Sequence, residues 1–272
     1  MTRLAISHRT TYRYDAPISY ALQQLRLTPK SHNGQEVIEW QVRITGGRHE
    51  LSFEDQHRNT VQLVSFNDGA QEVVIDCTGI VEIEDRHGVL GAHAGYMPLW
   101  LFQRDTELTK LGPKMRALLR EVPEEGEVLD RLHALSTNIR EQVSYETGRT
   151  GAGWTGEEAA AAGHGVCQDH AHIFLGCARA MGVPARYVSG YLMMDDRVEQ
   201  EATHAWAEAH VAGLGWVGFD ISNGISPDTR YVRVATGLDY GEAAPTHGTR
   251  FGQGEEYLDV TVTVQEQSQQ QQ

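Results

Sequence analysis

Apolar and polar residues alternate along much of the first ninety positions of the chain, which is the two-residue period of a β-strand. The clearest case is residues 36–44, where every second residue is apolar: Ile38, Trp40, Val42 and Ile44. Turn-forming Gly, Asn, Asp and Pro residues separate this segment from several others of similar length. The pattern predicts an antiparallel β-sandwich-like domain over residues 1–88.

A helical period replaces this alternation in the middle of the chain. Apolar stripes over residues 106–121 and 125–143 predict two helices, although a Gly-Pro pair interrupts the first. Residues 155–158 read Thr-Gly-Glu-Glu, a capping-box sequence that opens a short alanine-rich helix. A fourth apolar run with helical spacing begins at Cys167. These helices are expected to cover a sheet.

Strand-like segments return after the fourth helix. Residues 185–192, 203–211 and 216–220 predict three strands, and a glycine-rich turn about Gly213 joins the last two into a hairpin. Residues 257–265 alternate once more. The predicted fold class is therefore α+β, in which an amino-terminal β domain precedes a core of helices packed on an antiparallel sheet.

These patterns divide the chain into three parts. The β domain covers residues 1–88, and the core, which begins with an aperiodic linker, covers residues 89–240. Residues 241–272 form a carboxy-terminal segment whose final strand has the length and alternation to return to the amino-terminal sheet. The low-complexity end, residues 268–272, is predicted to be disordered.

Composition limits the partners and the compartment. The chain of 272 residues has a formal net charge of −14, which argues against nucleic acid or an anionic membrane as its main partner. No uncharged apolar stretch approaches the roughly 18 residues that span a bilayer. The 3 cysteines are widely spaced and lack a CxxC pair, so a disulfide scaffold is not expected. The predicted location is the cytoplasm.

Cys167 is the first candidate for chemistry. Small residues precede it, and the apolar run behind it places it on the first turn of a buried helix. Unpaired N–H groups and the helix dipole favour an anion there, so the thiol is expected to be partly thiolate near neutral pH. By contrast, Cys77 within a strand and Cys177 within the helix are expected to be core residues.

A cysteine nucleophile needs a base, and His204 and Asp220 have positions that can supply one. His204 begins one strand of the predicted hairpin and Asp220 ends the other, so antiparallel pairing about Gly213 brings them together. The carboxylate would then orient the imidazole. Docking of the cysteine helix against the hairpin would complete a Cys-His-Asp triad.

Further residues are candidates for contact with the reacting groups. The backbone N–H of Cys167 is a natural oxyanion donor, and Trp154 or Gln168 is a candidate second donor. Trp206 shares the face of the catalytic histidine and is a candidate substrate-binding wall, although core packing explains it equally well. Tyr191, at the end of its strand, is a weaker candidate for substrate contact.

Several segments of the chain resemble a known family. The sequence GVCQDHAHIFLGCARAMGVPARYVSGYL, followed by HAWAEAHVAGLGWVGFDISNG, is similar to the transglutaminase-like superfamily. The amino-terminal HRTTYRYDAPISYALQQLRLTPK resembles the β domain of its bacterial branch, whose members are often described as cysteine proteases. The resemblance covers nearly the whole chain. It implies a papain-like core with nucleophile Cys167, base His204 and orienting residue Asp220.

The chain departs from that branch at two positions. His170 stands where an aromatic residue usually follows Cys-Gln-Asp, and Ile221 stands where a proline usually follows the Phe-Asp of the last strand. Neither position belongs to the triad. We therefore expect altered detail of the pocket rather than loss of activity.

Together these residues predict thiol-dependent acyl transfer on an amide bond of a peptide or protein. The Cys167 thiolate would attack the carbonyl, and water would resolve the thioester, which describes a cysteine peptidase or amidase. Resolution by an amine would instead make the protein a protein-glutamine transamidase. The same groove without chemistry would be a peptide-binding module. No cofactor is predicted, and the sequence leaves the oligomeric state open.

A zinc site is a further alternative, since His164, Cys167 and His170 have side chains that suit zinc. His172 and His210 are additional histidines of the same region. However, the spacing puts His164 and His170 on opposite sides of a loop-to-helix junction, and no fourth ligand is obvious. No metal is therefore predicted.

Overall fold

The computed structural model describes residues 1–251 and 254–267, so the predicted disorder of residues 268–272 lies outside the described residues. The amino-terminal strands are β1 (Thr2–Tyr14), β2 (Tyr20–Thr28), β3 (Gln35–Thr45), β4 (Gly47–Glu54), β5 (Thr60–Phe66) and β6 (Glu72–Ile83). The helices are α1 (Pro113–Arg120), α2 (Val128–Gln142), α3 (Gly156–Ala162), α4 (Cys167–Ala180) and α5 (Tyr240–Ala243). The remaining strands are β7 (Val89–Gly91), β8 (Ser144–Tyr145), β9 (His164–Gly165), β10 (Ala185–Leu192), β11 (Glu199–Gln200), β12 (His204–Val211), β13 (Gly215–Phe219), β14 (Tyr231–Gly237), β15 (Thr246–Phe251) and β16 (Glu256–Glu266).

The amino-terminal half is a β-sandwich whose two sheets enclose one apolar core. One sheet has the strand order β11-β16-β1-β6-β3, and the other has the order β15-β2-β5-β4. The inward positions of the alternating strands fill the core, with Tyr12 from β1, Leu25 from β2 and Ile75 from β6. Cys77 lies fully buried in the same core.

Residues from the far end of the chain complete this sandwich. β16 pairs antiparallel with β1, from the Leu4–Glu266 pair to the Tyr14–Glu256 pair. β15 pairs in the same way with β2. The sequence does not predict β15, because its residues, THGTRF, do not alternate between apolar and polar. The β domain is thus built from both ends of the chain around the inserted core.

The core is an antiparallel sheet with helices on one face, which confirms the predicted fold class. Its strand order is β14-β10-β12-β13-β7. Helix α4 packs on the alanine face of β12, formed by Ala205, Ala207 and Ala209. Because α4 lies between this sheet and the helices α2 and α3, almost all of its length is buried, and it is apolar on most sides.

Three elements of the core differ from the prediction. The helix predicted over residues 106–121 is reduced to α1, because Pro113 occupies the first turn and proline is poorly tolerated farther inside a helix. The expected linker contributes β7, which pairs with β13 at the edge of the sheet. The sequence does not predict β14, because every one of its residues is buried and no alternation marks it.

The second face of the core sheet packs against the β-sandwich. Apolar side chains of both domains meet there: Leu4, Ile6, Val81 and Ile83 with Tyr191, Val232 and Val234. Glu208 is buried on this face, where its carboxylate binds Nε of Arg186 (2.5 Å) and Nε of Arg233 (2.8 Å). Burial opposes its ionisation, but the two guanidinium groups outweigh burial and lower the pKa of Glu208 to about 2.

Two side-chain amides of the β domain cover the free edge of β14. Asn59 donates from Nδ2 to the Thr236 carbonyl (2.7 Å) and accepts from the Thr236 N–H at Oδ1 (2.9 Å). Gln35 makes the same pair of bonds with the backbone of Arg233, at 2.9 and 2.8 Å. Each amide takes the place of a neighbouring strand, so the edge is satisfied without a further strand.

We expect Asn59→Ala to destabilise the whole protein, because it leaves the buried N–H and C=O of Thr236 without partners. The loss should be roughly 2–4 kcal/mol in the free energy of unfolding, or a fall in Tm of roughly 5–15 °C. Thermal unfolding measures it. Asn33→Ala is the matched control, since the exposed Asn33 amide makes one long bond of 3.4 Å to Leu90. Equal Tm values for the two variants would contradict the edge-covering role.

His8 is a neutral histidine enclosed between the domains. Its Nδ1 bonds the hydroxyl of Tyr191 (2.9 Å) and its Nε2 bonds that of Thr10 (3.1 Å), and the residue is 3% exposed. Burial lowers the pKa of His8 to about 4. The unfolded chain takes up a proton at this residue near its ordinary pKa, about 6.5, whereas the folded chain does so only near pH 4.

Folding stability should therefore be fully present above the ordinary pKa of histidine and should fall as the pH drops towards 4. The contribution of His8 to this loss is roughly 3 kcal/mol. We expect His8→Gln, which keeps hydrogen-bonding groups but does not titrate, to lose correspondingly less stability over that range. Urea unfolding of both proteins at neutral pH and near pH 4.5 compares them. Parallel losses in the two proteins would rule out this role for His8.

Candidate active site

Helix α4 presents Cys167 at its amino-terminal end. The N-cap residue Val166 has no side-chain acceptor, and its own N–H donates to Oδ2 of Asp169 (2.8 Å). Within residues 1–251 and 254–267, no acceptor is found for the backbone N–H groups of Cys167, Gln168 and Asp169. Uncapped donors at the first turn stabilise negative charge. This end of α4 is therefore suited to a thiolate and to an oxyanion.

The three thiols differ in exposure. Cys77 and Cys177 are fully buried, and burial raises the pKa of each to about 12. The Sγ–H of Cys177 also donates to the carbonyl of Met115 (3.6 Å). Cys167 alone among the three is partly exposed. Cys167 is therefore the cysteine of the three that a reagent from solvent can reach, and the two buried thiols are expected to be inert.

The structure brings His204 and Asp220 together. Strands β12 and β13 pair antiparallel across the Gly213 turn, so the start of β12 lies beside the residue that follows β13. Nε2 of His204 donates to Oδ2 of Asp220 over 2.6 Å. His204 is 7% exposed and Asp220 is 0% exposed. The pair is thus shielded from water on nearly every side.

Cys167 lies close enough to the imidazole to act on its charge. The thiol is a charge partner of His204, and Nδ1 is the ring nitrogen that Asp220 leaves free. Burial of the ring opposes its protonation, but Cys167 and Asp220 outweigh burial and raise the pKa of His204 to about 10. The arrangement favours an imidazolium next to the sulfur of Cys167.

Asp220 is held by several donors besides the histidine. Oδ2 also accepts from Nδ2 of Asn223 (2.7 Å) and from the hydroxyl of Tyr231 (2.7 Å), and Oδ1 accepts from the backbone N–H of Asn223 (3.1 Å). Burial opposes ionisation, but the bonds from His204, Tyr231 and Asn223 outweigh it and lower the pKa of Asp220. The carboxylate therefore stays charged and fixed in orientation.

Neither Asn223 nor Tyr231 is predicted from the sequence. Asn223 has a local signal, because an Asp three residues before it can close an Asx-type turn over its N–H. Tyr231 has no local signal, since it lies on β14 and reaches Asp220 only through the order of strands in the sheet. The periodicity of a sequence does not reveal which distant strands pair with one another.

A glycine-rich loop, residues 146–154, lies over the first turn of α4. Oγ1 of Thr150 donates to Oδ2 of Asp169 (2.8 Å), and Nε2 of Gln168 donates to the Ala152 carbonyl (3.0 Å). One bond from the Gln168 side chain is thus made to the loop, and its role as a second oxyanion donor stays a prediction. Asp169 joins the loop to the N-cap through one carboxylate oxygen.

Tyr145 stands at the mouth of the site. It is 52% exposed, and partial burial together with the charges of Cys167 and Asp220 raises its pKa to about 12. Its ring meets the edge of the His170 ring, with centroids 6.2 Å apart. Nε2 of His170 bonds a backbone carbonyl and Nδ1 bonds the hydroxyl of Ser222 (2.8 Å). His170 therefore supports both Tyr145 and the segment that follows Asp220.

The three residues expected to contact substrate lie in three different surroundings. Trp206 stacks on His204, with ring centroids 6.2 Å apart, and is 2% exposed. Trp154 is half-buried against the core, beside the ring of His164. Tyr191 is 1% exposed and its hydroxyl bonds His8 in the domain interface. The prediction for Tyr191 is wrong, because β10 directs this side chain towards the β domain.

The histidines of the region do not converge on a metal. His172 is fully buried, and its Nε2 accepts from the backbone N–H of Tyr240 (3.2 Å). His210 meets the edge of Trp216, and His164 lies beside Trp154. In the part of the chain that the structure describes, no group of three His, Cys, Asp or Glu side chains is arranged to hold a metal ion.

Comparisons with known proteins give two family matches. The bacterial transglutaminase-like N-terminal region matches residues 4–82, and the transglutaminase-like superfamily matches residues 116–221. The second match includes Cys167, His204 and Asp220. Together the two matches take in more than half of the chain and follow the division between sandwich and core. No described helix is long and apolar enough to cross a lipid bilayer.

Similar proteins extend over nearly the same length. An uncharacterized protein of Mycobacterium leprae is 27% identical over 277 residues, covering 97% of this chain and 99% of its own. An uncharacterized protein of Mycobacterium tuberculosis is 28% identical over 290 residues, covering 96% and 92%. A crystal structure from Cytophaga hutchinsonii, named "putative cysteine protease", shares the fold with a TM-score of 0.80 at 19% identity, covering 100% of this chain and 92% of that one. The chain belongs to the transglutaminase-like superfamily, with the N-terminal region of its bacterial members.

Proposed function

We propose that the protein is a thiol-dependent acyl-transfer enzyme that hydrolyses amide bonds of peptides or proteins. The observation that carries the proposal is the buried imidazole of His204, which bonds Asp220 through Nε2 and has the Cys167 thiol as its charge partner. The uncapped end of α4 adds backbone donors beside the sulfur. Nucleophile, base, orienting carboxylate and oxyanion donors are the parts that such chemistry requires.

The first half of the reaction forms a thioester. The Cys167 thiolate attacks the amide carbonyl carbon, and the carbonyl oxygen becomes an oxyanion at the α4 amino terminus, where the Cys167 N–H can donate to it. As the tetrahedral intermediate collapses, the C–N bond breaks and the imidazolium of His204 gives its Nδ1 proton to the departing amine. Asp220 keeps the ring in the orientation that this transfer needs.

The second half releases the acyl group. Neutral His204 takes a proton from a water molecule, whose oxygen attacks the thioester carbonyl. The C–S bond breaks, the product leaves as a carboxylic acid, and the thiolate–imidazolium pair is restored. Water is the proposed acceptor because it is abundant and Cys167 is partly exposed to it. An amine acceptor would use the same three residues and would make the protein a transamidase.

The non-catalytic alternative is disfavoured by the site itself. A peptide-binding groove needs neither a partly exposed cysteine nor a buried imidazole fixed by a buried carboxylate. Burying Asp220 costs free energy that several donors must offset, and a binding module gains nothing from that arrangement. Cytoplasmic location remains a prediction from cysteine usage and is independent of this chemistry.

Cys167→Ala should abolish turnover, because no other group in the site can form the thioester. We expect a loss of roughly a thousandfold or more for any amide substrate found in a peptide-amide panel. Cys77→Ala, which alters a buried thiol of the β-sandwich, is the control and should retain activity. Circular dichroism should show both variants folded. Turnover by folded Cys167→Ala at the wild-type rate would refute the proposal.

Adding methylamine to the same assay shows whether water or an amine accepts the acyl group from the thioester. Hydrolysis yields the carboxylic acid whether or not the amine is present, and mass spectrometry identifies it. If the N-methyl amide predominates, the proposed activity changes from hydrolysis to transamidation, and the roles of Cys167, His204 and Asp220 stay the same. We expect the acid to predominate.

A further inference from the structure

Three donors converge on a single oxygen of the triad carboxylate. Oδ2 of Asp220 accepts from Nε2 of His204 at 2.6 Å, from Nδ2 of Asn223 at 2.7 Å and from the hydroxyl of Tyr231 at 2.7 Å. The amide and the hydroxyl therefore compete with the imidazole for the same negative charge. A hydrogen bond to a charged acceptor is strong, so this competition affects how firmly the imidazolium is held.

Tyr231 reaches that oxygen across another strand. It begins β14, which pairs with β10, and β10 in turn pairs with β12, where His204 lies. The Tyr231 side chain can cross β10 because residue 190 of that strand is glycine. A methyl group at residue 190 would clash with the Val232 carbonyl and would lie 2.7 Å from the Trp206 ring. The ring of Trp206 occupies the space instead and meets the Tyr231 ring edge-on at 5.5 Å.

The two rings also close the site. Trp206 is 2% exposed and Tyr231 is 4% exposed, and both rings lie within about 6 Å of the His204 ring between centroids. Water is thereby kept from the His204–Asp220 hydrogen bond on this side. The Tyr231 hydroxyl is then the donor that reaches the carboxylate where a water molecule would otherwise bind.

We propose that Tyr231 is a positioning residue of the catalytic site, whose hydroxyl fixes the Asp220 carboxylate and limits how tightly that carboxylate holds the imidazolium of His204. The inference rests on the proposed function. It gives the tyrosine a role in the chemistry, since an imidazolium that is held too tightly is a poor acid towards the departing amine.

The direction of the effect follows from charge. The Tyr231 hydroxyl stabilises Asp220 more when the carboxylate is bare than when an imidazolium neutralises it, so it favours neutral His204. Removing the hydroxyl should therefore shift the titration of His204 to higher pH. Burial, with the adjacent carboxylate, raises the pKa of Tyr231 well above its ordinary value, so the hydroxyl remains a donor at working pH.

Other groups that face the pair must be held constant in a test. Cys167 on α4 is the charge partner of His204, while Tyr145 on β8 and His170 on α4 are charge partners of Asp220. Replacing the thiol removes the strongest coupling, so the Cys167→Ala background isolates the histidine and its carboxylate. Tyr145 and His170 stay unchanged in every protein compared.

The experiment is an NMR titration of the His204 Cε1–H in Cys167→Ala, with and without Tyr231→Phe. We expect the midpoint to rise by about half a pH unit or more in Tyr231→Phe. Tyr12→Phe is the matched control, because it removes a tyrosine hydroxyl that bonds Thr246 in the β-sandwich, and it should leave the midpoint unchanged. A merely structural tyrosine would lower Tm without moving this titration.

An unchanged or lowered midpoint in folded Tyr231→Phe would overturn the inference. Should that variant not fold, fluorotyrosine at position 231 replaces it. As a stronger donor of the same shape it should lower the midpoint, and no change would again overturn the role. The titration needs no substrate, so its result is separate from the activity of Cys167. In the active enzyme, Tyr231→Phe should slow hydrolysis of alkyl amides more than hydrolysis of anilides. The aniline leaving group depends less on proton donation from His204.

Discussion

The buried hydrogen bond between His204 and Asp220 is the interaction on which the rest of the site depends. A carboxylate with 0% exposure is costly unless its charge is matched by donors, and here an imidazole, an amide and a phenol supply them. Because the matched carboxylate favours a protonated imidazole, the neighbouring thiol gains a cationic partner. The uncapped end of α4 completes a site whose groups can stabilise negative charge on sulfur or oxygen.

That interaction needs a rigid frame, and both domains contribute to it. His204 follows a loop whose short strand β11 pairs with β16, the last strand of the sandwich. The amides of Gln35 and Asn59 cover the edge of β14, which carries Tyr231 at its start. The sandwich therefore holds two of the segments that orient the His204–Asp220 pair. Because the sandwich is built from both ends of the chain and the core lies between them, assembly of the β domain is tied to assembly of the core.

Sequence reasoning reached the fold class and the family, and comparisons confirm both. It also placed Cys167, His204 and Asp220 in one site, because a helix start and the two ends of a hairpin leave local signals. It missed β14 and Tyr231, since a fully buried strand shows no alternation and its partners lie far away in sequence. It misassigned Tyr191 for the related reason that periodicity gives the face of a strand but not what covers that face.

The most direct test of the account is the rate at which iodoacetamide alkylates Cys167 at about pH 6, where an ordinary thiol is almost fully protonated. Peptide mass mapping assigns the modified residue, and His204→Gln provides the comparison. The account predicts rapid alkylation of the wild-type thiol at this pH and slow alkylation in His204→Gln. A wild-type thiol that reacts slowly at about pH 6 and is indifferent to His204→Gln would contradict the claim that the buried histidine–aspartate pair activates Cys167.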